Sequence, residues 1–386
     1  MQYLLADVIY TAKQEVFDTI VVVGDDGEIL DFLPEDRVDE SKVNYMRGAL
    51  CPGFVNTHCH LELSYLHQKI EEGKGLSQFI KDIEKHKNVT DEFVLHCIAK
   101  GDEEMHRNGI VAVGDICNTA STFDTKAKSK IAYHNFIEVY SFLPDRAERA
   151  FAKGLELYQQ AASPKSIVPH APYSMSHELM RLVNAHASKH DSILCIHNQE
   201  SQSENDMFLT KSGDIIERFQ QWGFDVDFWK ASGKTSIHYS LEQLTAATSL
   251  QFVHNTFSTL ADIQHAQQMH PQLYWCICAN ANRYIENKLP MLTDWIDQKC
   301  QITVGTDSLA SNWSLNLIDE WKTIQSAYPQ VDINQLVQWS TLNGAQYLGM
   351  DKQLGSIEVG KRPGINLIEG LEDSKITANT RITKII

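Results

Sequence analysis

Two histidines separated by one residue, His58 and His60, close an apolar run that follows Pro52-Gly53. On a strand, alternate side chains share a face, so both imidazoles can reach one point beyond the strand end. His197 ends the apolar run ILCI, His254 ends LQFV, and Asp307 follows ITVG. A carboxylate at the end of an apolar run is costly unless it is paired or bound to a cation. No one of these residues is decisive alone, since a lone strand-end histidine is more often structural than a ligand. Five ligand-type side chains at the same ends of different strands would make a metal site. Three imidazoles and one carboxylate suit Zn²⁺ or Fe²⁺, with water completing the shell. No lysine ends a candidate strand, so a lysine-derived bridge between two ions is not expected, and one divalent ion per chain is.

Such residues need a scaffold that gathers strand ends. Eight short apolar runs recur between positions 53 and 308: GFVNTHCH, VAVGDIC, HNFIEVY, SIVPHAPY, LCIHNQES, QFVHNT, LYWCICAN and QITVGTDS. Amphipathic segments such as AERAFAKGLELYQQA and HELMRLVNAHASKH fill the gaps. Alternating β and α elements imply a parallel sheet, and eight repeats favour a (β/α)₈ TIM barrel over a doubly wound open sheet. Polar residues stand at the C-terminal ends of the runs: His58, His60, Asp115, His170, His197, His254, Asn280 and Asp307. That face is where barrel active sites sit. The other eleven histidines fall mostly in helices or loops and read as surface or packing residues. Residues 1–51 and 356–386 carry short alternating runs with Gly and Pro punctuation, which predicts a small β-sandwich built from both chain ends around a barrel spanning 52–355.

The chain has 386 residues and a formal net charge of −16. The length suits one large domain with a satellite. The acidity argues against nucleic-acid or anionic-membrane partners and leaves a small-molecule substrate as the expected partner. Eight cysteines, none in a C-x-x-C pair and most inside apolar runs, read as reduced thiols of a cytoplasmic protein. The first residues do not have the pattern of a secretion signal, and no stretch approaches the ~20 apolar residues of a membrane helix.

The segments P-G-F-V-N-T-H-C-H-L-E (52–62), H-A-P-Y-S (170–174), H-N-Q-E-S (197–201), F-V-H-N-T (252–256) and G-T-D-S-L-A-S-N (305–312) resemble the amidohydrolase superfamily. The resemblance spans nearly the whole chain, in order. It is closest to the branch of methylthioadenosine/adenosylhomocysteine deaminases, guanine deaminases and chlorohydrolases, and H-C-H-L-E-L-S is also similar to aminodeoxyfutalosine deaminases.

The resemblance implies roles. His58, His60, His197 and Asp307 hold the metal. Glu200 passes a proton to a ring nitrogen, Asp307 takes one from water, His254 stabilises the new oxygen, and His170 contacts the substrate. The implied reaction is hydrolytic deamination of an amino-substituted N-heterocycle. A chlorohydrolase, a cyclic-amide hydrolase, a two-metal amidohydrolase and a non-catalytic binding protein are the competing readings, and a homodimer is compatible with the resemblance. Glu62 reads as a carboxylate at a helix start. The sequence departs from the pattern at Cys278-Ala279-Asn280-Ala281-Asn282, where the family often shows C-P-x-S-N, at Pro363-Gly364, and at Phe79-Ile80, with Glu84 earlier than the glutamate that meets ribose hydroxyls in nucleoside deaminases. The segment 203–240 is expected to frame the pocket, its aromatics packing rather than stacking on a ligand.

Overall fold

The computed structural model describes residues 1–386. Fifteen strands run along the chain. Five come first: β1 (Gln2–Tyr10), β2 (Glu15–Val16), β3 (Thr19–Val23), β4 (Ile29–Pro34) and β5 (Val43–Pro52). Eight follow at the expected runs: β6 (Phe54–Cys59), β7 (Ile110–Cys117), β8 (Ala132–Val139), β9 (Lys165–Pro169), β10 (Leu194–Asn198), β11 (Leu250–His254), β12 (Leu273–Ile277) and β13 (Gln301–Val304). The last are β14 (Ile365–Glu369) and β15 (Arg381–Lys384).

β6 to β13 are parallel and adjacent in sequence order, the arrangement of a TIM barrel, with helices between them. Their residues are almost all buried, as strands covered on both faces must be. The ladder is not one closed ring. It forms two four-stranded sheets, β6–β9 and β10–β13. Two seams join them. At one, the N–H groups of Thr306 and Asp307 donate to the His58 carbonyl at 3.1 and 3.0 Å, and Cys59 and Asp307 form an isolated parallel bridge. At the other, the His197 N–H donates to the His170 carbonyl at 3.0 Å. Both seams lie at the C-terminal ends of the strands.

The two chain ends do meet. β14 pairs antiparallel with β5, and the end strands form one seven-stranded sheet in the order β15-β14-β5-β1-β3-β4, with β2 on β1. Its faces are apolar on both sides, Leu4, Val21, Ile29 and Leu50 in one cluster and Leu5, Ile20 and Val22 in another. No helix is long and apolar enough to cross a membrane. All eight cysteines are free thiols.

Candidate active site

His58 is the fifth residue of β6 and His60 follows the strand, so alternation does place both rings on one side. His60 Nε2 lies 3.2 Å from His58 Nε2 and 3.2 Å from His197 Nε2, and Asp307 Oδ1 lies 3.6 and 3.4 Å from the Nε2 atoms of His58 and His60. One donor atom from each of the four falls within 4.8 Å of every other, and all four residues are buried. Ligands at ~2.0–2.1 Å from a tetrahedral ion stand ~3.4 Å apart, so these spacings fit one cation. The protonation states fit as well. Burial chiefly holds His60 down to about 3 and pulls His58 and His197 down too, leaving neutral rings with lone pairs for a cation. Burial opposes ionisation of Asp307, but the His58 hydrogen bond and the nearby imidazoles hold its carboxyl well below the usual carboxylate range.

The loops after the strands set the remaining groups with unusual backbone. Gln199, His254, Asn255 and Asp307 all have positive φ, 46°, 73°, 52° and 56°. Non-glycine residues seldom adopt this conformation, and its clustering at strand ends is typical of functional sites. After Gln199, Glu204 accepts the N–H groups of Gln199 and Glu200 at 2.8 and 3.3 Å, and Ser201 caps the helix Gln202–Thr210. This turn delivers Glu200 to the site. Its Oε1 is 3.6 Å from His254 Nε2. Burial pushes the Glu200 carboxyl up to about 7 against the pull of His254. His254 Nδ1–H donates to Asn282 Oδ1 at 2.9 Å. Burial disfavours its imidazolium, yet Glu200, Asp307 and the Asn282 bond raise its pKa overall. His170 donates from Nδ1 to Ser174 Oγ at 2.7 Å, and burial holds it down to about 4.

His60, His170, His197, Glu200, His254 and Asp307 line one cavity of about 400 Å³. The segment 203–240 contributes Ile215, Arg218, Phe219 and Trp222 to its wall, and Phe219 stacks on Phe142 with centroids 4.3 Å apart. Helix Leu76–Lys85 and the residues after it bring Phe79, Ile80, Glu84 and Lys87, so Glu84 does face the cavity. Two strand-end residues do not join the cluster. Asp115 pairs with buried Lys126 and accepts the Leu61 N–H at 2.8 Å, behind His60. Asn280 is held by Asn312 and Thr323.

Sequence reasoning missed three groups. Glu138 lines the cavity from β8, buried, its carboxyl pushed up to about 8 by burial and its Oε2 accepting from Asn118 Nδ2 at 3.0 Å. A carboxylate inside the run HNFIEVY was the signal that could have found it. Glu62 does begin a helical turn, but it is buried, lines the cavity and accepts the N–H groups of Asn118 and Thr119 at 3.2 and 3.1 Å. Asn282 orients His254, and the signal that could have found it is that Cys278–Asn282, although it departs from C-P-x-S-N at Ala279 and Ala281, keeps the closing Asn.

Relatives share this architecture. A 5'-deoxyadenosine deaminase of Methanobrevibacter smithii is 24% identical over 86% of this chain and 76% of its own length. An aminodeoxyfutalosine deaminase of Nitratiruptor sp. is 23% identical over 83% and 78%. The solved Helicobacter pylori aminofutalosine deaminase in complex with methylthio-coformycin superimposes with a TM-score of 0.81, covering 98% of this chain and 94% of that one at 22% identity. Atrazine chlorohydrolase from Arthrobacter aurescens TC1, complexed with zinc, gives 0.75 over 98% and 89% at 15% identity, so the fold is shared well beyond similar sequences. Residues 49–385 match the amidohydrolase family, and the chain belongs to it.

Proposed function

We propose that the four-residue cluster is a mononuclear metal centre and that the protein hydrolytically deaminates an amino-substituted nitrogen heterocycle. One observation carries the reading: four donor atoms lie within 4.8 Å of one another, and three of their residues, His60, His197 and Asp307, line a cavity with a glutamate whose carboxyl is pushed up to about 7. His58, His60, His197 and Asp307 would hold the ion, Zn²⁺ by the donor set, with Fe²⁺ as the other candidate. A bound divalent ion supplies Lewis acidity that brings the pKa of a water toward neutrality. Asp307 takes the proton of the attacking water as its oxygen adds to the sp² carbon bearing the amino group. Glu200 gives a proton to the adjacent ring nitrogen, so that negative charge does not build up there. His254, its Nδ1–H committed to Asn282, donates from Nε2 as imidazolium to the new oxygen. His170 meets the substrate through Nε2. A second proton transfer releases ammonia and leaves a ring carbonyl.

The names of the relatives make 6-aminopurine nucleosides the first compounds to test, followed by aminopurines, pterins and triazines. Ammonia release from metal-replete protein is the expected result. Chloride release from a chlorotriazine without ammonia from any amine would move the assignment to a chlorohydrolase, and two ions per chain would move it to a dinuclear centre. The pairing of β5 with β14 supports treating 1–51 with 356–386 as a unit apart from 52–355.

A further inference from the structure

Arg218 lies in helix Asp214–Gln221 and lines the reaction cavity, although only 7% of its surface is exposed. Its guanidinium has no carboxylate within salt-bridge distance. Nε and Nη2 donate to a single acceptor, Ser77 Oγ, Nε at 3.1 Å, and Nη1 finds no partner at all. Ser77 lines the same cavity. The nearest acids by charge are Glu84 and Asp214, and Glu84 faces Lys87 at 3.8 Å instead. A buried guanidinium always carries its charge, and leaving it without an anion is unfavourable. The arrangement is more unusual in a chain of net charge −16, where carboxylates are plentiful. Its planar fork, with Nη1 free, suits two parallel hydrogen bonds to a carboxylate or phosphate.

We propose that Arg218, supported by Ser77, binds an anionic group on the substrate, so that the heterocycle this protein takes carries a carboxylate or phosphate away from the amino group that leaves. The inference rests on the proposed deamination for the position of the ring, but not for the anion site. The cavity is lined by the reacting groups His197, Glu200, His254 and Asp307 and also by apolar side chains such as Phe79, Ile80 and Ile215. A flat ring is held by the apolar walls, and the guanidinium adds the charged contact that fixes its orientation.

The test is calorimetric titration of metal-replete protein carrying Glu200→Gln, which slows turnover, with adenosine, adenosine 5'-carboxylate and adenosine 5'-monophosphate. At least one anionic probe is expected to bind about 10- to 100-fold more tightly than adenosine. Adding Arg218→Met should erase that preference while leaving adenosine binding in place, and Arg218→Lys should restore part of it. The carboxylate and phosphate arms identify which anion the site takes. Equal affinity for all three probes overturns the proposal. So does a preference that survives Arg218→Met, or a loss common to all probes in both Arg218 variants. Absence of ammonia release by the unsubstituted enzyme, with an Arg218-dependent preference intact, would count against the reaction and not against this site.

Discussion

The main-chain carbonyl of His170 accepts two hydrogen bonds from His197, one from its N–H at 3.0 Å and one from Nδ1–H at 2.7 Å. A carbonyl cannot donate, so the second bond fixes the tautomer and turns the Nε2 lone pair toward His60, 3.2 Å away. Metal-binding histidines are commonly oriented in this way through their other nitrogen. Replacing His197 with alanine should therefore leave the chain well below one equivalent of metal after gel filtration, measured by elemental analysis, with turnover lost. Full occupancy in that variant would remove His197 from the ligand set.

Glu200 is the residue on which the chemistry turns. Glu200→Gln should lower kcat by roughly 10²–10⁴ with metal content unchanged. In the unsubstituted enzyme the protonated acid declines as pH passes about 7, so kcat/KM should fall on the alkaline side, by up to about tenfold per pH unit. The variant should lack that limb. Near-normal turnover, or an alkaline limb that survives the substitution, contradicts the assignment.

Glu320 predicts how stability responds to pH. It accepts from Asn280 N–H at 2.9 Å and Asn312 Nδ2 at 2.7 Å, yet burial pushes its carboxyl up to about 8. An unfolded glutamate ionises near ~4.3. Between those values the folded chain keeps a proton that the unfolded chain has lost, so stability falls as pH rises. Glu62 and Glu204, both pushed up to about 7 mainly by burial, act in the same direction. Buried neutral histidines such as His134, held down to about 3, oppose this only below ~6.5. The metal-free protein should therefore lose stability between about pH 6.5 and 8, with Glu320 contributing about 1.4 kcal/mol per pH unit at most. Glu320→Gln should flatten the pH dependence of the urea midpoint. An unchanged slope would show that Glu320 is ionised in the folded chain.

Lys126 and Asp115 form a buried ion pair, and Lys126 also donates to Asn135 Oδ1 at 2.9 Å. Lys126→Met leaves Asp115 buried beside the Leu61 N–H without its cation. The expected cost is about 3–5 kcal/mol, read from chemical denaturation. A loss below about 1 kcal/mol would mean that Asp115 finds another partner or takes up a proton.

Gly305 packs where a side chain has no room. An added Cβ would stand 2.9 Å from Cys276 Sγ and from the His58 carbonyl oxygen, both fixed by the strands around them. Gly305→Ala should push β13 away from β6 and weaken metal retention under chelator challenge, while a distant change such as Gly223→Ala, in open space but at φ 77°, should cost stability alone. Equal metal retention in both would argue against that reading of the seam.

The strand pattern and its polar ends were legible because period-two alternation and buried apolar runs leave a strong trace: β6, β10, β11 and β13 lie where His58, His197, His254 and Asp307 required. The same logic overreached at Asp115 and Asn280. A strand end fixes only where a residue starts, and both turn to side chains on nearby helices, Asp115 to Lys126 and Asn280 to Thr323. Glu138 carried a local signal, a carboxylate inside an apolar run, that was passed over, whereas Glu62 and Arg218 take their meaning from contacts between distant segments, Glu62 with Asn118 and Arg218 with Ser77, which no local spacing encodes. Glu84 faces the cavity although its spacing seemed too early, because the whole helix Leu76–Lys85 leans over the site.

The two half-sheets meet where His58 and His60 of one face His197 and Asp307 of the other. A cation gripped by those four residues would act as a rivet through both halves of the scaffold. Folding and loading would then be mutually reinforcing, and the chain would gain rigidity from the same ion that gives it reactivity.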